Sequence, residues 1–447
     1  MPLPKTLLLI NPWIHDFTAY DFWMKPLGLL YIAAALLSRT DCSIRFVDCL
    51  DRRHPGLSRP PKQLMDGRGP YPKQQIGKPE LLSRIPRRFS RYGLPPELIR
   101  EELKRIPVPA AVLITCTMTY WYPGVAEVME LVREVFGSVP VVLGGIYATL
   151  CPGHAAALGA DAVVQGPGEE AVLSVLEEIV GPLGDRDPSH PVAEGKLSPS
   201  FDLIPSPETL PILTSRGCPF RCPYCAGPSL FPGYIQRDPD AVVDEIVYIS
   251  RKLRAPHIAF YDDALLLDKE KHIFPILRKV AAMNLPVTFH TPNGLHVREV
   301  DQAAADLFRA ANVRSLYLSQ ESFSSDVLDE SPKVGEADLP RALDCLEKAG
   351  YPRSEVNVFL LAGLPGQDPE GIVGSIRRVK SLGARPRLSY FSPVPGTKTW
   401  ARLVNEGRIG RDADPLLHNK LAFAYVWGGM DDRAFDRINK VLHGPPG

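Results

Sequence analysis

Three cysteines lie within eight consecutive positions near the middle of the chain. They are Cys218, Cys222 and Cys225, in the segment RGCPFRCPYCAG that spans residues 216–227. Two prolines separate them and argue against a helix, so the segment is expected to form a loop. A loop can fold three thiolates around one compact object. A structural zinc site usually takes four ligands, commonly from two C-x2-C pairs, and no second pair exists in this chain.

A cubic iron–sulfur cluster explains why three cysteines are clustered without a fourth cysteine ligand. A 4Fe–4S cluster normally takes four thiolates, one on each corner iron. Three thiolates leave one iron open, and an open iron can bind a substrate. The other five cysteines are scattered singly, and we expect them to be small buried apolar side chains. They are Cys42, Cys49, Cys116, Cys151 and Cys345.

The C-x3-C-x-aromatic-C spacing, with Tyr224 at the aromatic position, resembles the radical S-adenosylmethionine (SAM) superfamily. In that family the open iron chelates the amino and carboxylate groups of SAM. The reduced cluster donates an electron to the sulfonium, and homolytic cleavage gives methionine and a 5′-deoxyadenosyl radical that abstracts a hydrogen atom. The resemblance therefore implies a 4Fe–4S cluster on Cys218, Cys222 and Cys225, SAM, and an external low-potential electron donor such as flavodoxin or ferredoxin.

Four segments that follow predicted strands support this resemblance. FYDD (260–263) is similar to the acidic end of the second barrel strand, and SQES (319–322) to the fourth-strand motif. AGLPGQ (362–367) resembles the fifth-strand glycine turn, and SPVPGT (392–397) the end of the sixth strand. The resemblance implies SAM contacts from Tyr224, Asp262, Asp263, Glu321, Gly363, Pro365 and Gly366.

Residues 211–397 alternate short apolar strands with helices in six βα units, and polar residues stand at the strand ends. This pattern predicts a partial (β/α)6 TIM-type barrel with its site at the C-terminal rim. Residues 182–210 are rich in Pro, Ser and Asp and have no periodicity, which predicts a linker. Residues 398–447 are expected to be a small C-terminal extension.

Residues 1–181 also alternate strands with helices, which predicts a doubly wound, Rossmann-like parallel sheet. The stretches KPLGLLYIAAALL, VLGGIYAT and VVQGPGEEAV resemble the cobalamin-binding-type domain that precedes the barrel in one radical SAM class. This implies cobalamin contacts from Gly144, Gly145 and Thr149. The D-x-H-x-x-G motif that supplies a cobalt-binding histidine in other cobalamin domains is absent. Cobalamin bound without histidine and an inherited fold that no longer binds it both remain open.

An insertion at residues 51–108 interrupts this alternation. It carries 14 Lys and Arg against 6 Asp and Glu, and 10 prolines. One interpretation is a solvated surface excursion. The other is a cap over an active site that supplies cations to an anionic substrate.

Composition excludes several classes of protein. The charges of the 51 basic and 51 acidic side chains cancel, so we do not expect nucleic acid as a partner. The longest apolar stretch, 27–37, is about half a membrane span and is expected to be a buried helix. Eight cysteines in 447 residues are too few for a disulfide scaffold. The apolar run at the N-terminus is too short for a signal peptide. We expect a cytoplasmic protein that does not enter membranes.

The leading hypothesis is a cobalamin-dependent radical SAM methyltransferase acting on an unactivated carbon of an unknown small-molecule or peptide substrate. The alternative is a radical SAM rearrangement, cyclisation or oxidation enzyme without methyl transfer. A non-catalytic metal or electron carrier is disfavoured, because such proteins saturate their cluster with four ligands. A methylthiotransferase is disfavoured because the N-terminal cysteines lack ligand spacing. No general base or other catalytic residue is identified.

Overall fold

The computed structural model describes residues 4–184, 197–323, 334–427 and 430–444. Residues 185–196, in the expected linker, lie outside the described residues. The chain divides into two compact units. The first comprises Met1–Ser206 and Asp412–His418, and the second comprises Pro207–Arg411 and Asn419–Gly447.

The first unit is built on a parallel sheet with helices on both faces. Its strands are β1 (Thr6–Asn11), β2 (Ile14–Asp16), β3 (Tyr20–Asp21), β4 (Ser43–Asp48), β5 (Gly69–Pro70), β6 (Lys73–Gln75), β7 (Ser90–Tyr92), β8 (Ala111–Thr115), β9 (Val141–Gly144) and β10 (Ala162–Val163). Its helices are α1 (Leu27–Arg39), α2 (Pro96–Lys104), α3 (Tyr122–Phe136), α4 (Ile146–Leu150), α5 (Pro152–Ala157) and α6 (Gly168–Val180).

Five of these strands form the central sheet, in the order β10-β9-β8-β1-β4, and every pairing is parallel. Alternate residues of β1 enter two different cores, because successive side chains of a strand point to opposite faces. Leu8 and Ile10 pack with α3, whereas Leu7 and Leu9 pack with α1 and α6. The prediction of a doubly wound parallel sheet is confirmed.

The apolar stretch 27–37 lies in α1, and its Leu29, Leu30, Ala33 and Leu36 are buried as expected. Thr40 ends the helix, and its amide N–H donates to the Leu36 carbonyl. Among the helices described, not one combines the length and the apolar character needed to cross a bilayer.

The insertion folds onto the first unit instead of standing apart from it. The indole N–H of Trp13 donates to the Leu94 carbonyl at 2.7 Å. Strand β7 pairs with both β2 and β6, and β3 pairs with β5. Several insertion cations are paired with carboxylates of this unit, so part of the positive charge is neutralised internally. The pairs are Arg52–Asp21, Arg68–Asp66, Arg91–Glu127, Arg100–Glu134 and Lys104–Glu101.

The short segment Asp412–His418, which we call the return segment, belongs to the first unit although it follows the barrel in sequence. The hydroxyl of Tyr122 donates to the Asp414 carboxylate at 3.1 Å. The ring of His418 is hydrogen-bonded through Nδ1 to the Thr119 hydroxyl at 3.0 Å. His418 is 1 % exposed. Burial, with a smaller contribution from His154, lowers the pKa of His418 to about 3.

The second unit contains β11 (Thr209–Ile212), β12 (Ser215–Gly217), β13 (Tyr234–Gln236), β14 (His257–Phe260), β15 (Thr288–His290), β16 (Leu295–His296), β17 (Val313–Ser315), β18 (Tyr317–Glu321), β19 (Asn357–Ala362) and β20 (Arg385–Tyr390). Its helices are α7 (Gly227–Leu230), α8 (Pro239–Tyr248), α9 (Ile273–Met283), α10 (Gln302–Ala310), α11 (Asp338–Lys348), α12 (Pro369–Ser381), α13 (Lys398–Asn405), α14 (Lys420–Val426) and α15 (Asp432–His443).

Two parallel sheets make the partial barrel, in the orders β11-β14-β15-β17 and β16-β18-β19-β20. The fourth barrel strand is interrupted at Leu316. Its first half, β17, pairs with β15, and its second half, β18, pairs with β16 and β19. Counting this strand once, six barrel strands run in sequence order, and the expected (β/α)6 barrel is confirmed. Strand β16 is an addition that the sequence pattern did not predict.

The buried His418 gives the first unit a defined sensitivity to acid. An unfolded chain takes up a proton on this imidazole near pH 6.5, whereas the folded chain does so only near pH 3. Stability is therefore lost as the pH falls below about 6.5. Between pH 6.5 and 5 the loss is about 2 kcal/mol, or roughly 4–8 °C in Tm. Thermal unfolding of the full chain is compared at pH 7 and pH 5. The His418→Gln variant should lack the part of the decrease in melting temperature that His418 causes.

His443→Gln, at an exposed position of α15, is the matched control and should keep the wild-type response. Equal acid sensitivity of the wild type and His418→Gln would show that His418 is not the group responsible.

Candidate functional site

The three cysteines are carried by a hairpin at the end of the first barrel strand. Strands β12 and β13 pair antiparallel, and residues 218–233 lie between them. Gly217 has φ of +75°, and a Cβ there would stand 2.2 Å from the carbonyl oxygen of Gly233. Only glycine lets the two sides of the hairpin approach this closely.

A buried carboxylate holds the base of this hairpin. Asp262, 2 % exposed, accepts hydrogen bonds from the amide and hydroxyl of both Thr214 and Ser215, at 2.6–3.1 Å. His272 Nε2 lies 3.0 Å from the Thr214 hydroxyl. Asp262 follows the second barrel strand, so these bonds tie the end of that strand to the start of the hairpin. Burial raises its pKa, and the four donor groups oppose that rise.

The resemblance implied that Asp262 contacts SAM, but its carboxylate oxygens accept hydrogen bonds from Thr214 and Ser215. We propose that Asp262 positions the hairpin. Sequence reasoning also missed Thr214, Ser215 and His272 as positioning residues. The two hydroxyl residues directly before Arg216 were the available signal.

The three thiols are free of disulfides; Cys218 and Cys222 are half-buried and Cys225 is exposed. The amide of Cys225 donates to the Cys222 carbonyl at 3.1 Å, and the Gly227 amide points at the Cys225 sulfur at 3.4 Å. Desolvation by the surrounding protein raises the pKa of both Cys218 and Cys225. A backbone amide next to each of these sulfurs opposes that rise. Such amides stabilise negative charge on sulfur.

The donor set fits a cluster better than a single ion. Within the described ranges, no three Cys, His, Asp or Glu side chains converge as ligands of one metal ion. A 4Fe–4S cluster does not need such convergence, because each thiolate binds a different iron. A cavity of about 370 Å³ beside Cys218, lined in part by Arg221 and Tyr234, leaves room that the loop itself does not fill.

Two of the expected SAM-binding residues meet directly. The hydroxyl of Tyr224, on the hairpin, donates to Oε2 of Glu321 at the end of β18. Glu321 has φ of +65° and follows a register shift in β18. This backbone conformation is uncommon for Glu and typical of functional positions. Burial raises the pKa of Glu321, and the bond from Tyr224 opposes the rise.

The other expected SAM contacts are more open. Asp263 is an exposed residue, yet desolvation of its carboxyl group and the neighbouring Asp262 raise its pKa to about 6. Its charge also acts on Cys218 and Cys225, so it stands near the thiols. Gly363, Pro365 and Gly366 form the turn after β19. Within the described contacts, nothing joins this turn to the hairpin.

In the first unit, the three expected cobalamin contacts lie at the carboxyl end of β9 or directly after it, and their surroundings differ. A Cβ on Gly145 (φ +92°) would meet Thr115 Oγ1 at 2.7 Å and the Cys116 carbonyl at 2.8 Å, so its close approach is to protein. The Thr149 hydroxyl donates to the Gly145 carbonyl and accepts from the Gly166 amide, both at 2.9 Å.

Gly144 is open: the nearest atom to a Cβ there is the Val164 carbonyl oxygen at 3.8 Å. Gly166, which sequence reasoning did not single out, has nothing within 4 Å. Two glycines at the ends of neighbouring strands leave backbone accessible, which suits a large flat cofactor. The QGPG run around Gly166 was the signal that could have identified it.

Each histidine described in this unit has a side-chain contact inside the protein. His15 contacts Glu127, His54 lies 3.5 Å from Glu102, His154 contacts Tyr147, and His418 contacts Thr119. The sequence likewise lacks the D-x-H-x-x-G motif that supplies a cobalt-binding histidine in other cobalamin domains.

Comparison with known proteins identifies both units. Residues 212–379 match the radical SAM superfamily, and residues 92–176 match the B12 binding domain. The chain therefore carries a radical SAM domain and a B12-binding domain. The cofactors that go with these domains are a 4Fe–4S cluster, SAM and cobalamin.

The chain is similar to an uncharacterized methyltransferase of Pyrococcus horikoshii, with 25% identity over 65% of this chain and 69% of that protein. It is also similar to the anaerobic magnesium-protoporphyrin IX monomethyl ester cyclase of Rubrivivax gelatinosus, with 24% identity over 45% of this chain and 42% of that protein. The chain thus spans less than half of the cyclase.

Among solved structures, the radical SAM methyltransferase TsrM of Kitasatospora setae, bound to its tryptophan substrate and a SAM analogue, shares this fold. The TM-score is 0.66 with 17% identity, over 90% of this chain and 76% of that one. A second TsrM structure, with the same score, holds cobalamin and a [4Fe-4S] cluster.

The hairpin anchor leads to a prediction. Asp262→Ala leaves the buried amides of Thr214 and Ser215 without their acceptor, which should cost about 3 kcal/mol in the second unit. We expect a lower melting temperature and a reduced iron content after anaerobic reconstitution. Asp263→Ala, at the adjacent exposed position, should keep both values near those of the wild type. Wild-type iron content and melting in Asp262→Ala would contradict a positioning role.

Proposed function

We propose that this protein is a cobalamin-dependent radical SAM methyltransferase that acts on a carbon atom of a small molecule or peptide. The observation that carries the proposal is a three-cysteine hairpin on a partial barrel, in a chain that also has a B12-binding domain. When bound, the cluster supplies the electron that cleaves SAM to methionine and a 5′-deoxyadenosyl radical, and cobalamin carries the methyl group.

In this proposal Cys218, Cys222 and Cys225 hold the cluster and leave one iron for SAM. The backbone amides of Phe220 and Gly227 lie against two of the three sulfurs. Hydrogen bonds to cluster sulfurs change its reduction potential, so these amides are expected to tune it. The electron comes from outside, from a low-potential donor such as flavodoxin or ferredoxin.

Glu321 and Tyr224 orient SAM in this proposal. A carboxylate only accepts hydrogen bonds, so Glu321 suits the ribose hydroxyls or the ammonium group of SAM. The hydrogen bond from Tyr224 holds the Glu321 carboxylate in position. Asp263, close to Cys218 and Cys225, offers a second acceptor on the same side.

Cobalamin is assigned to the carboxyl edge of the sheet in the first unit, over Gly144 and Gly166. Support comes from the open space above these two glycines. The engagement of His15, His54 and His154 supports binding without a protein imidazole on cobalt. We also propose a cytoplasmic location, supported by eight cysteines that form no disulfide.

A second function keeps the same cluster and SAM chemistry but omits methyl transfer. One relative is named a cyclase, which favours a cyclisation as the alternative, alongside rearrangement or oxidation. Nothing in the geometry of the three-cysteine hairpin separates these outcomes, since all of them begin with the same radical.

The cluster is tested by removing its proposed ligands. The anaerobically reconstituted wild type should hold about four irons per chain and form 5′-deoxyadenosine from SAM when reduced with dithionite. Replacing Cys218, Cys222 and Cys225 together by Ala should abolish both properties. Cys345→Ala, on α11 away from the hairpin, should leave both unchanged. SAM cleavage by the triple variant would contradict the proposal.

Cobalamin binding is tested at Gly144, where a larger side chain has room to project without displacing protein. Wild-type protein incubated with cobalamin should keep a corrin absorption band after desalting. Gly144→Phe should lose the band and retain its melting temperature. Gly374→Phe, in α12 with nothing within 4 Å of its Cβ position, should behave like the wild type.

The SAM products then decide between the two functions. Reduced, cobalamin-loaded protein should form S-adenosylhomocysteine as well as 5′-deoxyadenosine, whereas Gly144→Phe should form only the latter. If loaded wild-type protein also forms 5′-deoxyadenosine alone, methyl transfer is excluded and cyclisation, rearrangement or oxidation is favoured.

A further inference from the structure

One face of the sheet β16-β18-β19-β20 is covered by helices. The opposite face, which we call the open face, carries several partly exposed side chains. On the covered face Leu318, Val358 and Leu360 are 0–1 % exposed, and Tyr390 packs against Phe435 of α15. Residues paired in register on neighbouring strands project to the same side of a sheet, and successive residues of one strand alternate between its two sides. The residues next to Leu318, Val358 and Leu360 on their strands therefore belong to the opposite face.

Four of these residues form a row across the open face. His296 is in register with Ser319, Ser319 with Phe359, and Phe359 with Arg387. Ser319 and Phe359 are half-buried and Arg387 is exposed. We call this row, together with Asn357, the arginine wall.

The arginine wall lies next to the cysteine hairpin. The rings of Phe220 and His296 lie 5.8 Å apart, measured between centroids. Glu321, which takes the hydrogen bond from Tyr224, follows Ser319 by two residues on β18. The wall therefore borders the hairpin and shares β18 with Glu321, so a ligand bound there would lie near the place assigned to SAM.

Arg387 is held in place by a buried amide. Its Nε–H donates to Oδ1 of Asn357 at 2.8 Å. Asn357 is 6 % exposed, and its own NH2 group donates to the Leu316 carbonyl at 3.2 Å. That second bond fixes which end of the amide faces Arg387. Within the described residues no carboxylate pairs with this guanidinium, so its Nη1 and Nη2 remain available.

The next part of the wall is apolar and flat. Phe359 stacks on Tyr317 with centroids 5.1 Å apart and 22° between the rings. Gly294 places no side chain against this part of the wall. A Cβ at this position would stand 2.3 Å from Ser319 Oγ and 3.1 Å from Phe359. A strand rises about 3.3 Å per residue. The register of β18 shifts between Ser319 and Glu321, and beyond this shift Glu321 lies opposite Leu360. Glu321 is therefore about 10 Å along the sheet from Asn357.

We propose that the arginine wall binds the substrate of the proposed methyl transfer, and that this substrate carries a carboxylate. The carboxylate pairs with Nη1 and Nη2 of Arg387, because a planar fork with two parallel N–H groups matches a carboxylate in a bidentate pair. An apolar, planar body lies over Phe359, and the reacting carbon lies toward Glu321. The inference rests on the proposed function for the identity of the ligand as substrate.

The test measures binding, so it does not depend on turnover. Full-length protein with its cluster reconstituted anaerobically is titrated calorimetrically with 3-phenylpropionate, its uncharged amide and phenyl phosphate. Wild-type protein should bind 3-phenylpropionate about tenfold or more tightly than the amide. Arg387→Met should abolish that difference, and Arg387→Lys should restore only part of it.

Arg377→Met, at an exposed position of α12, is the matched control and should keep the wild-type preference. Arg387→Met should also keep the wild-type melting temperature and affinity for SAM. Weaker SAM binding in this variant would place Arg387 in the SAM site and overturn the substrate assignment.

Three further results would overturn the inference: equal binding of acid and amide by wild-type protein, an unchanged acid preference in Arg387→Met, and tighter binding of phenyl phosphate than of the acid. Failure of the proposed function looks different. In that case SAM cleavage or cobalamin binding fails, while the dependence of 3-phenylpropionate binding on Arg387 persists.

Discussion

The buried carboxylate of Asp262 is the constraint on which the cysteine hairpin depends. It takes the amides and hydroxyls of Thr214 and Ser215, so the end of the first barrel strand and the base of the hairpin move together with the second strand. A buried charge is tolerated only when it is well hydrogen-bonded. The network is therefore expected to form completely or not at all, and the placement of the three thiols follows it.

The contacts of the hairpin define two regions in the second unit. Tyr224 reaches Glu321 at the end of the fourth strand, and Phe220 lies against His296. The first contact involves residues assigned to SAM, and the second leads to the open face of the sheet with Arg387. One loop thus carries the proposed cluster ligands and borders both the proposed SAM site and the proposed substrate site. Small changes in this loop are expected to affect all three.

Local patterns in the sequence were enough to predict the fold class and the cysteine loop, because both depend on spacing between near neighbours. Long-range contacts were not predictable. The Tyr224–Glu321 bond joins residues 97 positions apart and depends on a register shift and a positive φ in β18. Asp262 and Asp263 are identical in type and adjacent, yet the segment after β14 buries the first and exposes the second. The charge of the insertion was visible, but its pairing with Asp21, Glu127 and Glu134 required the fold.

The return segment has a consequence for how such proteins can change in evolution. Asp412–His418 belongs to the first unit while its flanking residues belong to the second. The B12-binding unit is therefore discontinuous in sequence, and a single recombination point in the linker could not transfer it whole. A gene fusion made there would separate Thr119 and Tyr122 from His418 and Asp414. The two units are expected to be inherited together, as a linked pair instead of as interchangeable cassettes.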